Sequence, residues 1–357
     1  MGILRLLLAL SVLLTHTGNI FNYNIANSNV AVFSFFVISG FYMSLILDTK
    51  YTGHNAIKTF WVNRFLRIFP VYWITLALTL IFVLLKFYLH IGNEDNAIIH
   101  YLNYSQNIGS WKFYADLVNV IIRNVTLIFN IDYFRGNNSV PGYLLIPQAW
   151  TLQVELLFYL IVPFLIKITK KLFLGVSVLY AIVFFGYIVP RGLIPNTLTY
   201  IFLDNLIFFL LGIFSYRFIL SSSILKLSKP KFLKLSILMF LGLLLYLVFY
   251  NFIKIKLPVT VLHMESFPYY LLLILALPLI FTITKFSAID SFIGKLSYPV
   301  YIMHLLILKL ISNLGLTQAT NFRSALVIFI SLYISYLAIK YIDNPIDKLR
   351  QTKARQK

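Results

Sequence analysis

The sequence predicts an all-α integral membrane protein of about ten transmembrane helices, both termini cytoplasmic, and three observations predict it. Of 357 residues, 60% are hydrophobic and only 11% charged; mean hydropathy is +0.86. Apolar runs of near-spanning length recur along the chain, and short basic clusters alternate between them. A soluble domain is roughly a quarter charged, so lipid must be the solvent for most of this fold. The net charge of +19, from 30 Lys and Arg against 11 Asp and Glu, would suggest nucleic acid in a soluble protein. Placed between apolar runs it reads instead as topology and anionic-lipid contact, which excludes a nucleic-acid partner. Cysteine is absent, which excludes disulfides, thiolate metal sites and cysteine nucleophiles.

A spanning helix needs about 20 mostly apolar residues. Ten segments approach that: 3–22, 30–48, 70–90, 145–166, 172–189, 199–219, 233–251, 266–285, 296–313 and 322–342. The first starts almost at Met1, but no small-x-small cleavage site follows it, so it is expected to be retained as a helix. The first, fourth and ninth are weaker because they carry polar side chains. Inside loops then hold Lys50, Lys58, Arg64 and Arg67; Lys167, Lys170 and Lys171; Lys226, Lys229, Lys231 and Lys234; and Lys348, Arg350, Lys353, Arg355 and Lys357. That asymmetry orients a multi-pass protein of the cell (inner or plasma) membrane. Residues 1–345 form a single transmembrane domain and 346–357 a basic cytoplasmic tail. The long outside connection, about 91–144, holds an amphipathic stretch near 112–130 and a turn-rich stretch from Arg135 to Gly142; it could lie on the membrane or cover a site. Its Asn-x-Ser/Thr triplets at Asn103, Asn124 and Asn137 are expected by chance at this Asn content.

Ionisable side chains inside a membrane are costly and are functional by default. Arg5 and His16, eleven residues apart on the first helix, are close to three full turns apart, so they share a face about 16 Å apart along the axis. One could grip an anionic, cytoplasmic donor while the other, an imidazole titrating near neutrality, deprotonates an acceptor. The alternative is a topogenic arginine and an interfacial histidine. Arg64 and Arg67 lie three apart on one helical face, ahead of Pro70, which marks the start of the third span. Paired guanidiniums suit phosphates, or form an ordinary topogenic cluster. Glu155 in QAWTLQVELLFYLIVP could orient His16, bind a sugar hydroxyl, or pair with an arginine. His304 in KLSYPVYIMH is structural or catalytic, and Tyr298 of the same motif is a substrate contact or a structural group. In SFFVISGFYMS the small residues Ser34, Ser39 and Gly40 read as helix packing, with Ser39 a further candidate contact. Histidines and carboxylates lack ligand-type spacing, so no metal is expected.

The order of these motifs carries a resemblance. Arg5-x10-His16, FFVISGF, Arg64-x2-Arg67 before Pro70, WTLQVELLFYLIVP, SYPVYIMH and a terminal Asp343-Asn344-Pro345 together resemble the membrane-bound acyltransferase 3 family over nearly the whole chain. The family's first motif often reads Asp-Gly-Leu-Arg-Gly, against Met-Gly-Ile-Leu-Arg5-Leu here, and its final Glu-x-Pro is replaced by Asp343-Asn344-Pro345. The resemblance implies about ten helices and transfer of an acyl group, most often acetyl from cytoplasmic acetyl-CoA, to an extracytoplasmic or lipid-linked carbohydrate. It implies that His16 is the catalytic histidine with Arg5 as its motif partner, and that Arg64 and Arg67 bind the donor.

The sequence thus leads to a membrane O-acetyltransferase that uses acetyl-CoA as cosubstrate and modifies a surface polysaccharide or similar glycan. With no hydrolase-like domain appended, the membrane part or a separate envelope-glycan protein is expected to finish the transfer. His16 acts as general base, or forms an acyl-histidine. The rival readings are a polysaccharide or lipid-linked sugar transporter or flippase, which would favour inverted repeats that this sequence does not display, and a structural subunit of an envelope-synthesis complex.

Overall fold

In the computed structural model, residues 1–18, 27–89, 111–127, 144–183, 198–219, 229–249, 266–314 and 320–355 are described. Every regular element among them is helical, as a bilayer requires of a chain that must satisfy its backbone internally. The helices are α1 Gly2–Thr17, α2 Ser28–Thr49, α3 Ala56–Tyr88, α4 Trp111–Thr126, α5 Trp150–Leu165, α6 Lys170–Val183 and α7 Leu198–Phe214. They continue with α8 Lys229–Val248, α9 Phe267–Thr284, α10 Ala288–Asn313, α11 Thr320–Ala338 and α12 Asn344–Arg355. Each of the ten expected spans overlaps one of these helices; their parts at 19–22, 90, 184–189 and 250–251 lie outside the described residues. Eight helical stretches are long and apolar enough to cross a bilayer, and α1 is a shorter apolar helix. The protein is an all-α integral membrane protein.

Two expected boundaries move. The third span begins at Ala56, not at Pro70, and Pro70 lies inside a helix of 33 residues. Proline breaks helices in water, but in a membrane bundle neighbours re-satisfy the freed backbone groups. The result is a helix about 50 Å long, whose first turns carry Lys58, Arg64 and Arg67 below the apolar run. The ninth span likewise begins at Ala288, capped by the Ser287 side chain on the Asp290 N–H at 3.2 Å, with Pro299 internal. The amphipathic stretch expected in the long connection is α4. Its end is tied to α3 by the Tyr72 hydroxyl, which donates to the Asn124 carbonyl, and by the Trp73 indole on the Val125 carbonyl at 2.9 Å. Asn124 is buried and accepts from the Leu145 N–H at 2.9 Å, so this triplet position serves the packing. Asn103, Asn137 and the stretch 135–142 lie outside the described residues.

Helix α1 lies along α10 and also meets α2 and α11, while α2 lies along α7. Two close approaches depend on glycine. A Cβ on Gly2 would collide with the backbone of Asp290 and Gly294; a Cβ on Gly212 of α7 would collide with the Val37 carbonyl of α2, as one on Gly40 would with Phe209. Glycine at a helix interface lets the backbones meet. Large apolar side chains on α3, α6 and α8, such as Leu85, Ile182 and Leu238, point outward, as a lipid-facing surface does.

Replacing Gly212 by Leu should force α2 and α7 apart and cost about 1–3 kcal/mol or more. Gly175→Leu, where a Cβ meets nothing within 4 Å, should be tolerated. The yield of monodisperse protein after detergent extraction checks this: the first variant should lose most of it and the second should match wild type.

Candidate active site

Helix α1 has no acidic N-cap of its own; one is supplied across the bundle. The Asp290 carboxylate of α10 accepts from the Gly2 and Ile3 N–H groups at 2.8 and 3.0 Å and lies 2.6 Å from the Met1 nitrogen. At the far end Gly18 turns the chain with φ of +92°. There the Thr17 carbonyl accepts from the Arg323 guanidinium of α11 at 2.7 Å, and the Ser324 hydroxyl donates to the Gly18 carbonyl at 3.0 Å. Between these clamps the helix is unbroken, so Arg5 and His16 keep the three-turn spacing that their sequence positions imply.

Arg5 opens onto a cavity of about 290 Å³ shared by α1, α2, α3, α5 and α10. Its charged end is formed by Arg5, Arg64 and Arg67. The two members of the sequence pair differ in their surroundings. Arg67 forms an ion pair with the buried Asp343 at 3.0 Å, while the Nε atoms of Arg5 and Arg64 are shielded without a hydrogen-bond partner. Three guanidiniums face Asp343 and Glu155, so the region is net positive. A second hollow of about 360 Å³ shares Arg5, Tyr42, Arg64 and Arg67 and adds Lys285 and Lys295. Lys295 is paired with Asp347 at 3.0 Å. Together they form a basic vestibule leading to the cavity, suited to a polyanion.

At mid-cavity Glu155 accepts from the Ser39 hydroxyl at 2.9 Å and from the Tyr159 hydroxyl one turn along α5. Ser39 is therefore more than a small packing residue. Tyr298 lines the same wall, and its hydroxyl donates to the Ile68 carbonyl at 2.7 Å. Thr151 and Tyr301 also line the cavity, and the Tyr301 hydroxyl lies 3.0 Å from the Thr151 hydroxyl and 3.3 Å from the Gln148 carbonyl.

His16 and His304 lie outside the cavity lining, with His304 against Tyr301, which does line it. Their rings lie with centroids 5.4 Å apart and planes inclined at 32°. His304 is wholly buried, its Nδ1 is 2.7 Å from the Tyr301 carbonyl, and its Nε2 has no partner; His16 stands on the exposed side of α1. The structure thus gathers Arg5, Arg64, Arg67, Ser39, Glu155 and Tyr298 on one cavity and sets the two histidines at its far end. Glu155 is bonded to Ser39 and Tyr159 and not to His16. Asp343, Tyr159, Thr151 and Tyr301 are not among the expected site residues, although each lies in a motif that carries the resemblance: Asp343 in Asp343-Asn344-Pro345, Thr151 and Tyr159 in WTLQVELLFYLIVP, and Tyr301 in SYPVYIMH. Among the described residues no three His, Cys, Asp or Glu side chains cluster as a metal site would need.

Residues 1–341 match the family described as "Acyltransferase domain". The chain is similar to an uncharacterized protein of Aquifex aeolicus, 29% identical over 218 residues, covering 60% of this chain and 93% of that one. It is similar to peptidoglycan O-acetyltransferase OatA of Listeria monocytogenes, 26% identical over 339 residues, covering 89% of this chain and 51% of OatA. It is also similar to nodulation protein 10 of Rhizobium leguminosarum bv. viciae, 27% identical over 187 residues, covering 47% of this chain and 44% of that one. The matches thus span about half the length of these last two. No solved structure matches the chain.

The unpaired guanidiniums should make the vestibule an anion site. Inorganic pyrophosphate should bind the purified protein in a thermophoresis titration and weaken as salt rises. Arg5→Ala and Arg64→Ala should each weaken it about tenfold, the loss of one charge-assisted contact of about 1.4 kcal/mol.

Proposed function

The chain belongs to the acyltransferase-domain family, and on that premise we propose that it moves an acetyl group from cytoplasmic acetyl-CoA to a hydroxyl of an extracytoplasmic or lipid-linked carbohydrate. The observation that carries the reading is the polar axis through the bundle: unpaired arginines at one end of a cavity and two imidazoles beyond its other end. The positive-inside pattern supports placing the arginine end in the cytoplasm, where acyl-CoA is found. The relative named as a peptidoglycan O-acetyltransferase supports a glycan acceptor.

On this reading the donor's phosphates rest on Arg5, Arg64 and Arg67, with Lys285 and Lys295 at the mouth. The pantetheine arm runs up the cavity past Glu155, Ser39 and Tyr298, and covers the roughly 16 Å of helix between Arg5 and His16. His16 takes the proton of the sugar hydroxyl as its oxygen forms a bond to the acyl carbon. The carbon–sulfur bond then breaks, and the proton passes from His16 to the leaving thiolate. Charge neutralisation below and proton transfer above act on one bound geometry, so positioning supplies much of the rate. Tyr301 and Thr151 stand between the two ends and must part for the thioester to reach His16.

His16→Ala should bring acetylation of the host glycan, read by NMR, down to background at unchanged protein level; wild-type acetyl content would end the assignment. Arg64→Ala combined with Arg67→Ala should weaken acetyl-CoA binding by about tenfold or more, raising KM more than it lowers kcat. Binding equal to wild type would leave the pair topogenic.

A further inference from the structure

A catalytic histidine that acts as general base is ordinarily held in orientation by a third group, most often a carboxylate. Among the described residues no carboxylate is hydrogen-bonded to His16, and Glu155 is committed to Ser39 and Tyr159. What stands beside His16 is the His304 ring, 5.4 Å away between centroids. We infer that His304 is the positioning residue for His16: a neutral imidazole, fixed in one tautomer by the Tyr301 carbonyl, whose Nε2 accepts the His16 N–H. The inference rests on the reading of His16 as the base.

The tautomer follows from hydrogen-bond chemistry. His304 Nδ1 lies 2.7 Å from the Tyr301 carbonyl, and a carbonyl oxygen only accepts, so Nδ1 carries the proton. In the neutral ring Nε2 is then an acceptor, and it is buried with no donor supplied. A buried acceptor left unmet is costly, and the neighbouring group able to meet it is the N–H of His16, whose ring centroid lies 5.4 Å away. Once that bond forms, the other nitrogen of His16 holds a lone pair for the sugar hydroxyl. When the hydroxyl proton arrives there, the imidazolium's second N–H is already shared with His304. The charge exists only during the transfer and disappears as His16 returns the proton to the thiolate. A carboxylate in the same place would leave a permanent charge in a membrane interior, where such groups are expensive.

The test separates this role from mere packing. His304→Asn places its amide N–H where Nδ1 stood, keeping the bond to Tyr301 with nothing at the Nε2 position. His304→Gln places an acceptor near Nε2. In vesicles reconstituted with acetyl-CoA and the host's de-O-acetylated surface glycan, the readout is release of free thiol. His304→Asn should keep the wild-type melting temperature and a KM for acetyl-CoA within about twofold, while kcat falls about 100-fold. His304→Gln should recover about tenfold of that, and adding His304→Asn to His16→Ala should cause no further loss, because the two act as one unit. Wild-type kcat in His304→Asn, or losses that multiply in the double variant, would overturn the inference. Should His304→Asn not accumulate, His304→Met fills the ring's volume without an acceptor, and an unchanged kcat there would overturn it equally. Full activity in His16→Ala would sink the underlying reading of His16, whereas an inactive His16→Ala beside an active His304→Asn would sink this inference alone.

Discussion

Helix α1 is too short to set its own depth in a membrane. Its 16 residues span about 24 Å, against a hydrocarbon core of about 30 Å, so hydrophobic matching would let it slide. The clamps at its two ends remove that freedom. Asp290 accepts from its first N–H groups and Arg323 donates to its last carbonyl, each with the charge sign that the helix dipole favours. The Gly2–Gly294 approach presses the same end onto α10. Because α10 carries Tyr298, Tyr301 and His304, locking α1 to it fixes both polar ends of the bundle relative to each other. Arg5 cannot leave the cavity without carrying His16 away from His304.

That locking makes an expensive arrangement tolerable. Guanidiniums facing the interior of a membrane protein need partners, yet of the three cavity arginines Arg67 alone has a carboxylate at bonding distance among the described residues. Arg5 and Arg64 keep shielded Nε atoms that nothing satisfies. A rigid bundle can hold such groups in place until an anion arrives, and the binding then gains what the empty state lacked. Asp343 tempers the cluster, so that on the proposed reading a donor would meet two unpaired arginines and one already engaged, a balance that would favour release of the spent carrier after transfer.

The spans were legible because a bilayer imposes length and apolarity on each helix separately, and those constraints survive in a single sequence. Boundaries were less so. Pro70 reads as a start because proline breaks helices in water, yet it lies within a helix here, and the ninth span, expected from 296, begins eight residues earlier at Ala288. For α10 the sequence did hold a better signal, Ser287-x-x-Asp290, the spacing of an N-terminal cap. Arg5 with His16 could be placed on one face because three turns of one helix relate them. Arg67 with Asp343, or Ser39 with Glu155, could not, since these partners meet only through tertiary packing. Gly40 was read as a packing residue and is one; the same stripe supplied Ser39 to the cavity, which spacing alone does not distinguish. Asp204, a further carboxylate within α7, lies off the cavity lining and was passed over.

Tyr301 ties the two ends into one device. Its hydroxyl meets Thr151 and the Gln148 carbonyl at the top of the cavity, while its own carbonyl holds the His304 ring. Gln148 returns the link through its amide, which donates to the Ile302 carbonyl at 2.7 Å. On the proposed reading, a thioester advancing from the arginine end would pass the Tyr301 side chain, whereas the backbone that orients His304 belongs to a packed helix and need not follow. On that reading the Tyr301 hydroxyl would be the part that moves and its carbonyl, held in α10, the part that stays; dividing the two tasks within one residue would let a donor pass without loosening the orientation of the His304 ring.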